Sequence, residues 1–224
     1  MSKPVRVIAI DGPAGSGKSS VSFGLARALG LRVLDTGAMY RTVTLAALEE
    51  GVDLADGEAL AEIARTAAMG FENQHITLDG RSVFFEIRGP EVTAAVSQVS
   101  AHPPVRAVLV ERQRAWVAEH GGGVVEGRDI GTVVFPHAPL KVFLTASEDE
   151  RARRRQRDEA DARRQIELQD ARGQLNRRDE ADSSLGRATR PEDAAPDAIV
   201  VDTTHLPMGD VVELLLERAR QVFG

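Results

Sequence analysis

The sequence predicts an α/β fold in which helices flank a parallel sheet and a small antiparallel sheet is inserted into the chain. The first observation is that short apolar runs alternate with helical segments, which is typical of a doubly wound parallel sheet. The second is Asp79-Gly80, a strong hairpin signal, which lies between two segments of strand character. An antiparallel hairpin does not fit within a parallel series, so it predicts an insertion.

The alternation is clearest in the N-terminal quarter of the chain. Val5–Asp11 is a short apolar run that ends at a glycine-rich turn, as buried parallel strands often do. Lys18–Leu29 carries its apolar residues on a loose helical stripe. Leu31–Asp35 then predicts a second strand, and Gly37–Glu50 predicts a second helix. Two strand–helix pairs in succession indicate the start of a parallel sheet.

The remaining elements are predicted from shorter signals. Pro103-Pro104 opens a helix that ends before Gly121, and Ser147–Glu150 forms an S-x-x-E capping box ahead of an arginine-rich helix. The other predicted elements, in chain order, are a helix at 59–69, strands at 74–78 and 82–88, a strand from Val124, strands at 140–144 and 198–202, and an amphipathic helix at 207–223.

These elements predict a division of the chain into three parts. The core comprises residues 1–58, 100–149 and 188–224, and the inserted segment comprises residues 59–99. Residues 150–187 form a lid region, which begins with the arginine-rich helix. We expect the insertion and the lid to move when ligands bind.

Composition excludes several classes of protein. The 224 residues carry a formal net charge of -6, which argues against a nucleic-acid partner. Cysteine is absent, which excludes disulfides and thiolate metal sites and is consistent with a cytoplasmic location. No apolar run reaches the roughly 18 residues of a membrane span, and the first ten residues lack a secretory-signal pattern.

The most informative motif follows the first predicted strand. Residues 12–19 read G-x-x-x-x-G-K-S and directly precede a predicted helix, the context that this motif requires. Its glycines let backbone N–H groups point at phosphate oxygens, Lys18 reaches the β- and γ-phosphates, and the Ser19 hydroxyl can ligate Mg²⁺. A P-loop three-layer fold is therefore predicted, with a nucleoside triphosphate bound by Gly12, Pro13, Ala14, Gly15, Ser16, Gly17, Lys18, Ser19 and Ser20.

Two further segments are predicted to face the same crevice. Asp35–Arg41 follows the second strand, and Gly127–Asp129 follows the strand that begins at Val124. Parallel sheets bind ligands at the carboxyl ends of their strands, so both segments should lie beside the P-loop. Their arginines suit a second phosphate, because a guanidinium grips phosphate oxygens with two hydrogen bonds. Asp35 and Thr36 could equally cap the following helix, and the two roles are compatible.

These segments also carry a family resemblance. DTGAMYR at 35–41, GRDIGTVVFP at 127–136 and RRDEADSS at 177–184, together with the P-loop, resemble the bacterial cytidylate kinases along residues 5–222. The resemblance implies transfer of the γ-phosphate of ATP to CMP or dCMP with Mg²⁺ as cofactor. It also implies an inserted monophosphate-binding domain and a mobile lid. Because small kinases of this type are often monomers, we expect a monomer with no nucleic-acid or membrane partner.

The resemblance implies roles for individual residues. Lys18, Arg128, Arg178 and Arg187 would be the catalytic residues, and Ser19 would ligate the metal, with Asp35 as a second candidate. The implied substrate-binding residues are Thr36, Arg41, Ser97, Arg106, Arg128, Asp129, Arg178, Asp182 and Arg187. Within this set Asp129 is chemically apt for cytosine, since a carboxylate accepts a hydrogen bond from the exocyclic amino group and repels uracil O4.

The sequence departs from the family pattern at two places. The family usually reads D-S-x-R, but here Leu185 stands where the arginine is expected, so that Arg187 or Arg190 would have to replace it. Glu126 stands where an aspartate is common. Either Asp35 or Glu126 could hold the metal through water.

Three other interpretations compete with this one. A P-loop kinase of another acceptor (shikimate, gluconate or UMP) is the nearest, although a shikimate kinase should carry D-x-D where Asp35-Thr36-Gly37 stands. A regulatory GTPase should show an N-K-x-D motif, which is absent, and a regulatory ATPase would not need an arginine-lined acceptor pocket. An RNA-binding role for the arginine-rich stretch at 151–164 conflicts with the net charge and the lack of an aromatic platform.

Overall fold

A computed structural model describes residues 5–72, 75–161 and 165–224 of the protein. In these residues one parallel sheet has five strands, in the spatial order β2-β6-β1-β7-β8. A separate antiparallel sheet has three, in the order β3-β4-β5. The strands are β1 (Arg6–Asp11), β2 (Val33–Asp35), β3 (Met69–Glu72), β4 (His75–Leu78), β5 (Arg81–Ser82), β6 (Gly122–Glu126), β7 (Leu140–Thr145) and β8 (Ile199–Asp202).

Helices cover both faces of the parallel sheet, as the alternating sequence predicts. They are α1 (Lys18–Leu29), α2 (Thr36–Glu50), α3 (Gly57–Thr66), α4 (Pro90–Ala101), α5 (Pro103–Glu119), α6 (Glu148–Asp161), α7 (Leu168–Ser184) and α8 (Met208–Phe223). Among the described residues, no helix combines the length and apolarity that a membrane crossing needs. The α/β fold class predicted from the sequence is confirmed.

The core has two layers, one on each face of the parallel sheet. Successive residues of a strand point to opposite faces. Ile8 and Ile10 of β1 therefore pack with α1 and α8. Val7 and Ala9 of the same strand pack with the layer that contains α2, α3 and α5. Burial on both faces explains why β1 reads as a continuous apolar run rather than an alternating one.

The strand register brings three acidic residues to one edge of this sheet. Ile10 of β1 is level with Glu126 of β6, and Asp35 of β2 is level with Glu126 as well. Asp11 ends β1 one residue further on. All three therefore lie at the carboxyl ends of the strands, where ligands of parallel α/β sheets bind.

The inserted segment differs from its predicted secondary structure. Met69 was predicted in a helix but begins β3, where it pairs with Leu78. The strand predicted at 82–88 ends at Ser82, because the backbone then turns: the Ile87 N–H donates to the carbonyl of Val83 at 3.1 Å. The small sheet and α4 fall inside the predicted insertion, whose domain boundaries stay a prediction.

Candidate active site

The loop between β1 and α1 has a backbone that only glycine permits at its first position. Gly12 has a φ of 146°, and a Cβ added there would lie 2.1 Å from the carbonyl oxygen of Leu144. Gly17 ends the loop with a φ of 91° immediately before Lys18 begins α1. The loop is therefore curled against β7, with the N-terminus of α1 at its end, which is the arrangement that binds phosphate.

Lys18 is folded back onto this loop. Its Nζ donates to the carbonyl oxygen of Pro13 at 2.7 Å, and the residue is buried. Burial, and after it the positive charge of Arg128, lowers the pKa of Lys18 well below its ordinary value. A phosphate bound in the loop would raise the pKa of Lys18 again, because its negative charge would favour the protonated ammonium group.

Glu126 is the acid beside the loop. Its Oε2 accepts a hydrogen bond from the Ser19 hydroxyl at 3.0 Å, while its Oε1 is buried and has no hydrogen-bond partner among the described residues. Burial, followed by the neighbouring Asp35 carboxylate, raises the pKa of Glu126. An unpartnered carboxylate oxygen next to a hydroxyl fits the oxygen ligands that Mg²⁺ requires.

Asp35 and Thr36 both have structural contacts at the start of α2. The Asp35 Oδ1 accepts from the Ala38 N–H at 3.0 Å, so Asp35 caps the helix, and its Oδ2 lies 3.8 Å from a guanidinium nitrogen of Arg88. The Thr36 hydroxyl donates to the backbone carbonyl of Glu126 at 2.7 Å. These contacts tie the end of β2 to the end of β6 and keep Asp35 close to Glu126.

Residues 127–134, which follow β6, carry the next group of side chains. Arg128 donates through Nε to Asp182 at 3.0 Å and through a terminal nitrogen to the Gly12 carbonyl at 2.8 Å. Asp129 forms an ion pair with Arg106 of α5. After Asp129 the chain makes a wide helical turn, Ile130–Val134. Of these side chains Arg128 lies directly against the P-loop, and Asp129 lies against α5.

Arg187 lies in this cluster, and Arg190 does not. The Arg187 guanidinium donates to Asp182 at 2.7 Å and to the Ser100 hydroxyl at 3.0 Å, and it also contacts the Ser100 carbonyl. The chain turns at Leu185, which is 41% exposed, and the backbone N–H of Arg187 returns to the Asp182 carbonyl at 3.1 Å. The turn thus brings Arg187 to the side of Asp182.

Of the remaining predicted arginines, Arg41 is held by hydrogen bonds to other described residues and Arg178 is not. Arg41 is buried and donates to the Ile87 carbonyl at 3.0 Å and to the Thr93 hydroxyl at 2.9 Å. Burial lowers the pKa of Arg41 and, to about 10, that of Arg178. In the part of the chain that the structure describes, Arg178 makes no hydrogen bond or ion pair. Its guanidinium is thus available to a ligand.

Helices α6 and α7 contact the P-loop at Ala14. Arg151 pairs with Asp179 and donates to the Ala14 carbonyl at 3.2 Å, while Asp179 accepts from the Ala14 N–H at 3.3 Å. Arg154 donates to the Gly15 carbonyl at 3.5 Å and to the Thr203 hydroxyl at 2.9 Å. These contacts attach the beginning of the predicted lid region to the P-loop.

One cleft of about 790 Å³ collects most of these side chains. Of the predicted site residues it is lined by Ala14, Gly15, Lys18, Ser19, Ser20, Asp35, Thr36, Arg41, Ser97, Arg106, Arg128, Asp129, Arg178, Asp182 and Arg187. Gly12, Pro13, Ser16 and Gly17 belong to the P-loop but do not line the cleft. All the predicted acceptor residues and five of the nine predicted P-loop residues therefore lie around a single space.

Sequence reasoning did not identify several residues of this region. Ser100 holds Arg187, and Arg88 stacks on Phe84 with its guanidinium carbon 4.2 Å from the ring centre. Asp11 is buried and accepts hydrogen bonds from the N–H groups of Ile130 and Gly131. Burial raises the pKa of Asp11 to about 6, against the effect of these two bonds. Only Asp11 had a usable signal: it is an acid at the end of an apolar strand.

Comparison with solved structures supports the fold. A protein from Eubacterium ventriosum matches with a TM-score of 0.53 at 12% identity, covering 96% of this chain and 98% of its own. A protein from Thermus thermophilus matches with a TM-score of 0.50 at 22% identity, covering 98% of both chains. At these identities the likeness extends to the fold alone.

Comparison with known sequences is more specific. The family model of cytidylate kinase matches residues 8–221. The cytidylate kinase of Mycolicibacterium paratuberculosis is 51% identical over 219 residues, covering 96% of this chain and 95% of the relative. That of Rhodococcus opacus is 48% identical over 220 residues, with coverage of 96% and 95%. With a P-loop facing an arginine-lined acceptor cleft, and with relatives of this similarity along nearly its whole length, the chain belongs to the cytidylate kinase family.

Proposed function

We propose that this enzyme, an ATP-dependent kinase of CMP, also phosphorylates dCMP and uses Mg²⁺. The observation that carries the proposal is the shared cleft, in which the P-loop residues Lys18 and Ser19 face Asp129 and a group of arginines. A donor triphosphate in the P-loop and an acceptor monophosphate near the arginines would then meet in one space. Such positioning accounts for most of the catalysis of phosphoryl transfer.

Four cationic residues would stabilise the transferring phosphoryl group. Lys18 would exchange its contact with the Pro13 carbonyl for the β- and γ-phosphates. Arg128 and Arg187 are held in place by the shared carboxylate of Asp182, and Arg178 has no such partner among the described residues. The acceptor is itself an anionic phosphate, so the reaction needs charge neutralisation and no strong general base.

The acceptor base would be read by Asp129. Its carboxylate, oriented by Arg106, would accept a hydrogen bond from the exocyclic amino group of cytosine, and it would repel the carbonyl oxygen of uracil. Ser97 lines the same cleft and could contribute a further contact to the base. Asp182 would contact the ribose, and Thr36 and Arg41 would lie at the acceptor phosphate.

A magnesium ion fits the oxygen atoms beside the P-loop. Ser19 would ligate it directly, and Glu126, with its unpartnered Oε1, would hold a metal-bound water more readily than Asp35, whose Oδ1 already caps α2. No group of three or more acidic or histidine side chains forms a metal site within residues 5–72, 75–161 and 165–224. The ion would therefore depend on the phosphates of ATP, whose negative charge it would neutralise.

Closure of the insertion and the lid would exclude water from this cleft. We propose that residues 59–99 move, together with the part of the lid region beyond Arg154. The contacts of Arg151 with Ala14 and of Arg154 with Gly15 would keep the start of α6 on the P-loop. Hydrogen exchange measured with and without both nucleotides tests this. Protection should increase in both segments, and unchanged exchange in either would contradict its assignment.

The function is tested by measuring ADP production with ATP and Mg²⁺ against CMP, dCMP, UMP, AMP and shikimate. We expect strong turnover with CMP and dCMP and little with UMP. Turnover with UMP equal to that with CMP would refute the role given to Asp129. Absence of turnover with dCMP would restrict the enzyme to the ribonucleotide.

The enzyme is further proposed to be a cytoplasmic monomer. The absence of cysteine is consistent with a cytoplasmic location, and small kinases of this type are often monomers. Light scattering coupled to gel filtration tests the oligomeric state. A mass near 24.1 kDa would support a monomer, and twice that value would refute it.

A further inference from the structure

Asp11 is a buried carboxylate that none of the catalytic roles above uses. It ends β1, and its side chain is buried against the turn Ile130–Val134. Its two oxygens have separate partners: Oδ1 accepts from the N–H of Ile130 at 2.8 Å, and Oδ2 accepts from the N–H of Gly131 at 2.7 Å. The partners are more than a hundred positions apart in the chain, so these bonds join the end of β1 to a distant turn.

The turn itself depends on these bonds. Its later N–H groups, those of Val133 and Val134, donate to the carbonyl of Asp129 at 2.8 and 3.1 Å. Its first N–H groups have no partner within the turn, as at the start of any helix, and Asp11 supplies both acceptors. The Asp11 carboxylate lies close to the backbone of Gly131: a Cβ added to Gly131 would lie 3.3 Å from Asp11 Oδ2.

The next residue of the chain holds the other side of Asp129. The carbonyl of Gly12 accepts from Arg128 at 2.8 Å. Asp11 and Gly12 therefore fix the residues immediately before and after Asp129, and Gly12 is also the first residue of the P-loop.

We propose that Asp11 is a positioning residue for acceptor recognition: it fixes the loop that carries Arg128 and Asp129 relative to the P-loop. The end of β1 would then set the distance between the cytosine-reading carboxylate and the phosphate donor. This inference rests on the proposed role of Asp129 as the residue that reads the base.

Asp11→Asn is the informative substitution, because asparagine keeps the shape but has one acceptor oxygen. Its amide NH₂ would point at an N–H donor, so one hydrogen bond of the turn is lost and Asp129 shifts. A buried donor without a partner is costly, and we expect the KM for CMP to rise about tenfold or more. The dissociation constant of a non-hydrolysable ATP analogue should stay within about twofold, since the P-loop glycines are unchanged.

Selectivity is the readout that a merely structural role would not change. We expect the ratio of kcat/KM for CMP to that for UMP to fall about tenfold in Asp11→Asn. Equal weakening of CMP and the ATP analogue, with the ratio unchanged, would overturn the proposal, because Asp11 would then only support the P-loop.

Asp56→Asn provides a matched control. Asp56 also accepts two backbone N–H groups, from Glu58 and Ala59 at 3.1 and 3.0 Å, but both bind its Oδ1 and the residue is exposed. Asparagine keeps that oxygen, so this variant should retain wild-type KM values and selectivity. A similar rise in the KM for CMP in Asp56→Asn would show that the effect of Asp11→Asn is not specific.

Asp129→Asn separates this inference from the proposed function. If Asp129→Asn loses selectivity and folded Asp11→Asn keeps it, the positioning role is wrong and the base-reading role stands. If Asp129→Asn keeps selectivity, the base-reading role is wrong and the inference falls with it. Should Asp11→Asn not fold, hydrogen exchange on the wild-type enzyme decides: the Ile130 and Gly131 amides must be protected, and exchange at exposed-loop rates would refute the contact.

Discussion

Replacing Glu126 by glutamine tests whether the acid beside the P-loop is retained at a cost to stability. The side chain is buried, one oxygen accepts from Ser19, and the other has no hydrogen-bond partner. Burial, followed by the Asp35 carboxylate, raises the pKa of Glu126 from 4.5 to about 8. A carboxyl group whose pKa is raised by folding contributes stability that is present below the unfolded pKa and is lost as the pH rises through the folded one.

The size of the stability loss follows from the interval between the unfolded pKa of 4.5 and the folded pKa of about 8. At about 1.4 kcal/mol per pKa unit, the raised pKa of Glu126 lowers the stability of the folded protein by about 3 kcal/mol between the unfolded pKa and neutral pH. This figure already includes the effect of Lys18, whose positive charge favours the ionised carboxylate and so limits the rise of the pKa. Glutamine avoids the buried charge, but its NH₂ group would lack an acceptor. That unpaired donor would destabilise the variant by about 1 kcal/mol or more. We therefore expect a net gain of about 1–2 kcal/mol, or a rise of about 2–8 °C in Tm for a chain of this size.

Calorimetry of the nucleotide-free protein measures this gain. The Tm difference between Glu126→Gln and the wild type should be larger at about pH 8 than at about pH 5. The variant should also need more Mg²⁺ for half-maximal turnover, because a neutral amide holds a metal-bound water less strongly. Glu111→Gln, an exposed change on α5, is the control and should alter neither quantity. A lower Tm at both pH values, or an unchanged Mg²⁺ requirement, would refute the reasoning.

Three further substitutions test the loop and its contacts. Lys18→Ala should abolish turnover without lowering the Tm, because the buried ammonium carries a desolvation cost; normal turnover would contradict its catalytic role. Gly12→Ala should destabilise the protein by more than about 3 kcal/mol in denaturant titrations, because its Cβ would lie 2.1 Å from the Leu144 carbonyl oxygen. A near-wild-type midpoint would show that β7 can shift to accommodate the added methyl group. Arg151→Ala should weaken binding of an ATP analogue about tenfold and leave the KM for CMP unchanged, because it removes the hydrogen bond to the Ala14 carbonyl in the P-loop. An equal effect on both nucleotides would contradict a role limited to the binding of ATP.

Much of the fold was predictable because its signals are local. Short apolar runs mark the strands of the parallel sheet, and in β1 burial on both faces leaves no room for polar alternation. The P-loop was predictable for the same reason, since Gly12, Gly17 and Lys18 have to be close together in the chain. These elements required no knowledge of what packs against them.

The inserted segment was harder because its pattern allows two interpretations. Residues 82–88 contain apolar and aromatic residues, which favour a strand. Yet Val83 and Ile87, both fully buried, are four residues apart, the spacing of one helical turn. The structure uses that spacing, and Phe84 and Phe85 instead contact each other edge to face with ring centres 5.2 Å apart. Short apolar runs leave this choice to tertiary packing.

Contacts between distant segments could not be predicted from one sequence. Whether Arg187 or Arg190 occupies the cleft depends on the turn at Leu185, and Ser100, which holds Arg187, is 87 residues away in the chain. Nothing local distinguishes Ser100 from other helical serines. Its importance follows only from the packing of α4 beside the end of α7.

The pairing of charges explains how an acidic protein can keep so many arginines in one cleft. Asp182 is shared by Arg128 and Arg187, and burial alone would raise its pKa, but these guanidinium groups and that of Arg178 hold the pKa below its ordinary value. Asp129 is the corresponding partner of Arg106. Without such carboxylates the neighbouring guanidinium groups would repel one another without compensation. In the proposed function the arginines would exchange part of their carboxylate contacts for phosphate contacts when substrates bind, so the carboxylates would hold the cleft ready for anions.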